Sequence, residues 1–92
     1  MYIKVSNNAE AQKVINALKE LGLTESTWSS NMAECKAIAT YINPLENEKW
    51  YIILNERMMC NDPRSSWITK RKEMESLDAL LRGIKDYLAR DL

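Results

Sequence analysis

The feature that most limits how this chain can fold is a pair of short apolar segments separated by a turn. The segments 37–42 and 50–54 are rich in residues that favour β-strands. Between them, Pro44 fixes its own φ angle and disfavours a helical conformation at Asn43. The pattern therefore predicts an antiparallel hairpin with strands at about 36–43 and 49–57. Because both segments are apolar at nearly every position, both faces of the sheet should be at least partly covered.

Two segments on either side of this hairpin have the spacing of amphipathic helices. Asn7 precedes Glu10 by three positions, as in a capping box, and Ser76 is the corresponding cap of the second segment. The apolar stripes consist of Ala11, Val14, Ile15, Leu18 and Leu21 in the first segment and Leu77, Leu80, Leu81, Ile84 and Leu88 in the second. These patterns predict helices at about 8–21 and 77–90. Since each helix has a single apolar stripe, both should pack on one face of the sheet.

The remaining segments complete a small domain. Tyr2–Ser6 alternates as a short first strand does, and Thr24–Asn31, rich in Ser and Thr, predicts a loop or a loop with a short strand. Met58–Ser66 predicts irregular structure, and Trp67–Thr69 a short edge strand. A chain of 92 residues is long enough for one domain. The expected fold is a single two-layer α+β domain spanning residues 1–92, with a small, mainly antiparallel sheet.

Composition excludes several classes of function. The chain has 13 basic and 13 acidic residues, no net charge and 46% apolar residues, which excludes an acidic DNA mimic, a polycation and a disordered tail. The absence of histidine removes imidazole bases and histidine-ligated metal sites. Only two glycines are present, too few for a glycine-rich phosphate loop. We therefore expect a protein that is not an enzyme and that uses no cofactor.

The cysteines and the N-terminal segment indicate the compartment. Cys35 and Cys60 are expected to be buried or half-buried reduced thiols, because two sulfurs without histidine or a CxxC motif are too few to bind a metal. No apolar run approaches the length of a membrane span, and Met1–Val5 lacks the features of a signal peptide. The expectation is a cytoplasmic protein with no membrane partner.

A basic segment with aromatic residues indicates one kind of partner. Residues 49–72 contain six basic and two acidic side chains, a net charge of +4. Cations interleaved with aromatic rings on a sheet are typical of proteins that bind RNA or single-stranded DNA, because phosphates meet the cations and bases stack on the rings. The residues that would do so are Tyr51, Trp67, Lys70, Arg71 and Lys72. The alternative is that Trp50 and Tyr51, which begin the most apolar strand, belong to the core.

The aromatic and sulfur content indicates protein binding. Three tryptophans, four tyrosines and five methionines with no phenylalanine give a chain rich in the residue types of interface centres. The candidate partner-binding residues are Trp28, Arg57, Arg64, Trp67, Lys70 and Arg71, with the aromatics as anchors and the cations as steering and hydrogen-bonding groups. A sheet with both helices on one side leaves its other face to be covered, either by the chain itself or by a symmetric homodimer.

The order of short motifs along the chain gives a further indication. An aromatic first strand, a helix ending in Glu-Leu-Gly, a tryptophan, a hairpin with paired aromatics, a strand ending in Ile-Thr and a Leu-Leu helix follow one another. They are Tyr2-Ile3-Lys4-Val5, Glu10-Ala11, Leu18-Lys19-Glu20-Leu21-Gly22, Trp28, Trp50-Tyr51, Trp67-Ile68-Thr69 and Leu77 with Leu80-Leu81. This order resembles a loose group of small phage-encoded accessory proteins, although Trp28 lies farther from Gly22 than is usual in that group. The resemblance implies an early, host-directed or anti-defence protein in the cytoplasm of the host cell, and it carries over no site residues.

Three functions remain open at this point. The first expectation is a non-enzymatic binding protein that inhibits a host or antiviral-defence factor by stoichiometric binding. The second is a protein that binds RNA or single-stranded DNA. The third is a sponge that sequesters a small nucleotide signal between the protomers of a homo-oligomer, with Arg57 and Arg64 on the phosphate.

Overall fold

The computed structural model describes residues 1–60 and 72–89. In chain order they form β1 (Tyr2–Lys4), α1 (Asn8–Glu20), β2 (Thr24–Glu25), β3 (Ala37–Asn43), β4 (Glu48–Leu54), α2 (Glu56–Cys60) and α3 (Leu77–Leu88), with short 3₁₀ helices at Met32–Glu34 and Pro44–Glu46. The four strands form one mixed sheet in the order β1-β3-β4-β2, and the two long helices pack against it. The predicted two-layer α+β fold is therefore confirmed. The predicted edge strand Trp67–Thr69 lies outside the described residues.

The β3–β4 hairpin is the centre of the sheet. Its antiparallel register runs from Ala37 opposite Leu54 to Asn43 opposite Glu48. In the turn, the Leu45 N–H donates to Asn43 Oδ1 (3.2 Å), and Asn47 takes the left-handed conformation with a φ of 55°. The predicted turn is therefore present, and the Asn43 side chain and the left-handed Asn47 complete it.

The end of β4 differs from the prediction. The strand was expected to continue to residue 57, but it ends at Leu54, and Glu56–Cys60 forms the short helix α2. The reason is the Asn55 side chain, whose Oδ1 accepts a hydrogen bond from the Met58 N–H (2.8 Å) as a helix cap does. The irregular segment predicted from Met58 onwards is consequently helical in its first three residues.

The outer strands extend the sheet in both directions. β1 is antiparallel to β3, and beyond it Glu73 forms a single parallel bridge with Tyr2. On the other side, β2 is parallel to β4, with Thr24 opposite Trp50 and Glu25 opposite Tyr51. Of the two alternatives predicted for Thr24–Asn31, the structure shows the loop with a short strand, which has two residues.

Helices α1 and α3 cover one face of the sheet, which we call the helix face. Asn7 Oδ1 accepts from the Glu10 N–H (2.8 Å) and Ser76 Oγ from the Ala79 N–H (3.1 Å), so both predicted caps are formed. The fully or nearly buried side chains of this core include Ala11, Val14, Ile15, Leu18, Ile38, Tyr51, Ile53, Leu80 and Ile84. In the described chain the helices end at Glu20 and Leu88, close to the predicted ends.

The opposite side of the sheet, the second face, holds a separate apolar cluster. Ala37, Ala39, Ile52 and Leu54 are buried there, and Tyr2, Trp50, Met58 and Met59 pack against them. Short helix α2 thus contributes its two methionines to this cluster. Both faces of the hairpin are covered, as its continuous apolar pattern predicted. In the part of the chain that the structure describes, no helix combines the length and apolar character needed to cross a membrane.

Candidate protein-binding surface

Trp28 is the most exposed aromatic side chain of the described chain. It is 70% exposed, and the other strongly exposed large apolar residue of the described ranges is Leu45, in the β3–β4 turn. Trp28 lies in the loop 26–31, which follows β2 along the edge of β4. Trp28, one of the predicted partner-binding residues, therefore lies at the surface.

The loop that carries Trp28 is attached to β4 on both sides of the tryptophan. Before it, the Ser26 N–H donates to the Tyr51 carbonyl (2.8 Å), and after it the Ser30 N–H donates to the Ile53 carbonyl (2.8 Å). The 3₁₀ helix Met32–Glu34 then returns the chain to β3, with Asn31 Oδ1 accepting from the Ala33 N–H (2.9 Å). The exposed tryptophan therefore lies on a backbone that is held at two points.

A shallow cleft lies at the same end of the sheet. It has a volume of about 600 Å³ and is lined by Ala33, Glu34, Lys36, Asn55, Glu56 and Arg57. Asn55 connects it to the tryptophan loop, because its Nδ2 donates to Ser30 Oγ (3.1 Å). A second hollow of about 440 Å³, lined partly by Lys4 and Met59, shares Lys36 and Glu56 with the first. The fold thus brings Trp28 and Arg57, two predicted binding residues, to one end of the sheet; we call loop 26–31 with this cleft the Trp28 surface.

The cleft has no net charge. Lys36 and Arg57 contribute two positive charges, and Glu34 and Glu56 contribute two negative ones. Within the described ranges, none of the four forms an ion pair. The ion pair seen there joins Lys4 to Glu73 (3.6 Å), outside the cleft. Such mixed charges suit the polar rim of a protein interface better than a site for a polyanion.

The predicted nucleic-acid residues do not come together in the described chain. Tyr51 lies on the helix face with 0% exposure, and its hydroxyl donates to Glu25 Oε1 (3.4 Å), so its ring is not available for base stacking. Lys72 lies at the opposite edge of the sheet, where its carbonyl accepts from the Tyr2 N–H (3.0 Å). The expectation that Tyr51 stacks on bases was therefore wrong. Trp67, Lys70 and Arg71 of that set, together with the predicted partner contact Arg64, lie outside the described residues.

Two aromatic residues on the second face stack on each other. The rings of Tyr41 and Trp50 are stacked, with centroids 4.9 Å apart. Because side chains alternate along β4, Trp50 lies on the second face and Tyr51 on the helix face. Both rings of the stacked pair are partly buried.

The titratable groups inside the fold are kept in their neutral forms. Burial raises the pKa of the Cys35 thiol above its ordinary value, which keeps it protonated. Burial, and then the nearby Glu25 carboxylate, raise the pKa of the Tyr51 hydroxyl. Cys35 is buried, as predicted, and is a free thiol. Among the described residues, no group of three or more histidine, cysteine, aspartate or glutamate side chains is placed to hold a metal ion.

The comparisons with known proteins give no relative. No protein-family model matches the chain, and neither a curated protein nor a solved structure is significantly similar to it. The sequence analysis named Trp28 and Arg57 as candidates, but it did not single out Asn55 or the serines, whose hydrogen bonds hold the loop and the start of α2. The signal for these positions was the Ser-rich run around Trp28 and the Asn55-Glu56 pair, which is typical of a helix start.

Proposed function

We propose that this protein is a non-enzymatic binding protein that inhibits a host or antiviral-defence factor by stoichiometric binding through the Trp28 surface. The proposal includes a phage origin and action in the cytoplasm of the host cell, which the order of motifs along the sequence supports. Its partner is a protein with an apolar pocket for the indole and polar groups that face the cleft.

The observation that carries this proposal is the exposure of Trp28 on a fixed backbone. Trp28 is 70% exposed, so most of this large side chain is accessible to a partner. Tryptophan is among the residues most enriched at the energetic centres of interfaces, where burial of the ring accounts for much of the affinity. The two backbone bonds to β4 reduce the entropy that the loop would lose on binding.

The mixed charge of the cleft supports protein binding over the two alternatives. A nucleotide or nucleic acid brings several negative charges, which Lys36 and Arg57 would attract and Glu34 and Glu56 would repel, so the lining has no net charge to attract it. A protein surface can place opposite charges against all four. Of the two aromatic residues proposed to stack on nucleic-acid bases, Tyr51 is the one in the described ranges, and its ring is buried.

The test compares three forms of the protein in a tagged pull-down from bacterial lysate, with and without nuclease. They are the wild type, Trp28→Ala, and Leu45→Ala as a matched control. Leu45 is even more exposed, at 81%, but lies in the hairpin turn at the other end of β4. We expect one protein, retained after nuclease, that binds the wild type and Leu45→Ala in a 1:1 ratio and is lost with Trp28→Ala. One equivalent of wild type should then inhibit the purified partner.

Affinity measurements sharpen the same test. Removal of a hot-spot tryptophan typically weakens binding by 2 kcal/mol or more, about 30-fold in Kd. Affinity for the partner should also fall little between 50 and 200 mM salt, roughly the range over which nucleic-acid binding falls by orders of magnitude. Equal capture by Trp28→Ala and the wild type, or recovery of RNA or DNA with loss of protein after nuclease, would contradict the proposal. An empty eluate would contradict it too, and thermal stabilisation by nucleotides would then be measured.

A further inference from the structure

We infer that the side chains of Ser26 and Ser29 are positioning groups that fix Trp28 in its binding conformation before any partner arrives. The inference deepens the proposed function and rests on it for its biological meaning. The positioning itself can be measured in the free protein.

The hydrogen bonds along β4 show an interruption of the parallel ladder at Trp28. After the bond from the Ser26 N–H to the Tyr51 carbonyl, a regular ladder would continue from the Ile53 N–H to the Ser26 carbonyl, and then from the Trp28 N–H to the Ile53 carbonyl. The second position is instead taken by the Ser30 N–H, at 2.8 Å from the Ile53 carbonyl. Two extra residues are therefore inserted, and the edge bulges outward at Trp28.

Serine hydroxyls satisfy the backbone groups that the bulge would otherwise leave without partners. Ser29 Oγ accepts from the Ile53 N–H (3.0 Å), the position that the Ser26 carbonyl would occupy in a regular ladder. The Ser26 carbonyl accepts from the Ser29 N–H (3.2 Å), and Ser26 Oγ accepts from the Trp28 N–H (3.2 Å). An unpaired N–H on a partly buried strand is unfavourable, so the hydroxyl of Ser29 favours this one loop conformation over a mobile one.

The same bonds fix the backbone at the tryptophan itself. Trp28 occupies the centre of the turn from Ser26 to Ser29, and its own N–H is directed back to Ser26 Oγ. With the backbone fixed on both sides, the 70% exposed tryptophan is held at a defined place on this edge of the sheet. Bulges of this kind re-aim side chains, often beside functional sites.

The experiment measures backbone and side-chain order by NMR relaxation in the free protein. The variants are Ser29→Ala, which removes the acceptor for Ile53; Ser29→Thr, which keeps a hydroxyl; and Thr27→Ala as a matched control. Thr27 is exposed in the same loop, and its hydroxyl takes no part in the bonds described above. In the wild type and in Thr27→Ala, the amides of residues 27–30 should have order parameters close to those of rigid backbone, about 0.85.

We expect Ser29→Ala to lower the order parameters of residues 27–30 to about 0.6 or less, to speed exchange of the Ile53 amide hydrogen, and to leave β3 unchanged. Ser29→Thr should restore both values. Order parameters in Ser29→Ala equal to those of the wild type would overturn the inference, as would a loss of order in Ser29→Thr equal to that in Ser29→Ala.

The partner experiment separates this inference from the function on which it rests. If Trp28 is the anchor and the loop is pre-ordered, Ser29→Ala should weaken partner binding several-fold while Trp28→Ala weakens it more. Trp28-dependent binding without any change in loop order in Ser29→Ala would contradict only the positioning role. Loss of loop order in Ser29→Ala without any Trp28-dependent partner would contradict only the proposed function.

Discussion

At the scale of single residues, Gly22 is the position where backbone conformation decides the residue type. It ends α1 with a φ of +88°, a value that L side chains rarely adopt. A Cβ atom there would also come within 2.7 Å of Lys49 Nζ, which donates to the Leu21 carbonyl (3.3 Å) and so helps to cap the helix. The positive φ is therefore the reason for glycine at this position, because the Lys49 ammonium is at the end of a flexible side chain and can move aside.

Gly22→Ala should lower the free energy of unfolding by about 1–2 kcal/mol, because the left-handed conformation is unfavourable for alanine. Gly83→Ala is the matched control. Gly83 lies inside α3, and a Cβ there would meet the flexible end of Met1, whose Sδ lies 2.7 Å away. Since alanine favours helices by up to about 1 kcal/mol over glycine, the control should be neutral or slightly stabilising. Urea titrations of both variants give the comparison, and equal destabilisation would contradict it.

At the scale of elements, the helices and strands that could be predicted are those whose apolar pattern extends over several residues. In helices α1 and α3, the apolar period and the capping residues indicate the same bounds, and in the hairpin two apolar segments flank a turn. Helix α2 has five residues, too few for a period, so only the Asn55 cap could have indicated it. Likewise, alternation along β4 left the faces of Trp50 and Tyr51 undecided, because a shift of one residue exchanges them.

In the candidate site too, features set by neighbouring residues could be predicted, whereas those that depend on residues distant in sequence could not. The polar run around Trp28 indicated an exposed residue, since loops rich in Ser and Thr lie at the surface. The cleft could not be predicted, because Lys36 and Arg57 lie on opposite sides of the hairpin in sequence and meet only when β3 pairs with β4. Nor could the Ser29 bond to β4, which depends on the register of β2.

Asn55 is the residue on which α2 and the Trp28 surface both depend. Its Oδ1 caps α2, and its Nδ2 donates to Ser30 Oγ. Asn55→Ala removes both bonds and should lower the free energy of unfolding by about 1 kcal/mol, as the loss of a helix cap usually does. Asn55→Asp keeps the cap acceptor and loses only the donor, so its effect should stay within about 0.5 kcal/mol. Urea unfolding measures both, and an aspartate variant as unstable as the alanine variant would show that the cap is not the main contribution.

At the scale of the whole molecule, the central hairpin belongs to two apolar clusters at once. The helix face packs against α1 and α3, whereas the second face is covered in part by the methionines of α2. Ile52 and Ile53 are neighbours in β4, are 4% and 3% exposed, and point to opposite faces. They therefore form a matched pair in which residue type, strand and burial are the same and only the cluster differs.

The two clusters should unfold as one cooperative unit, because strands β3 and β4 contribute side chains to both. Ile52→Val and Ile53→Val each remove one buried methylene-sized group and should each lower the free energy of unfolding by about 0.5–1.5 kcal/mol. We expect similar losses, unchanged denaturant slopes, and coincident transitions by circular dichroism and tryptophan fluorescence. If Ile52→Val cost nothing while Ile53→Val lay in this range, the second face would not be part of the folding core. The helix face alone would then hold the molecule together, and the second face would be free to take part in binding alongside the Trp28 surface.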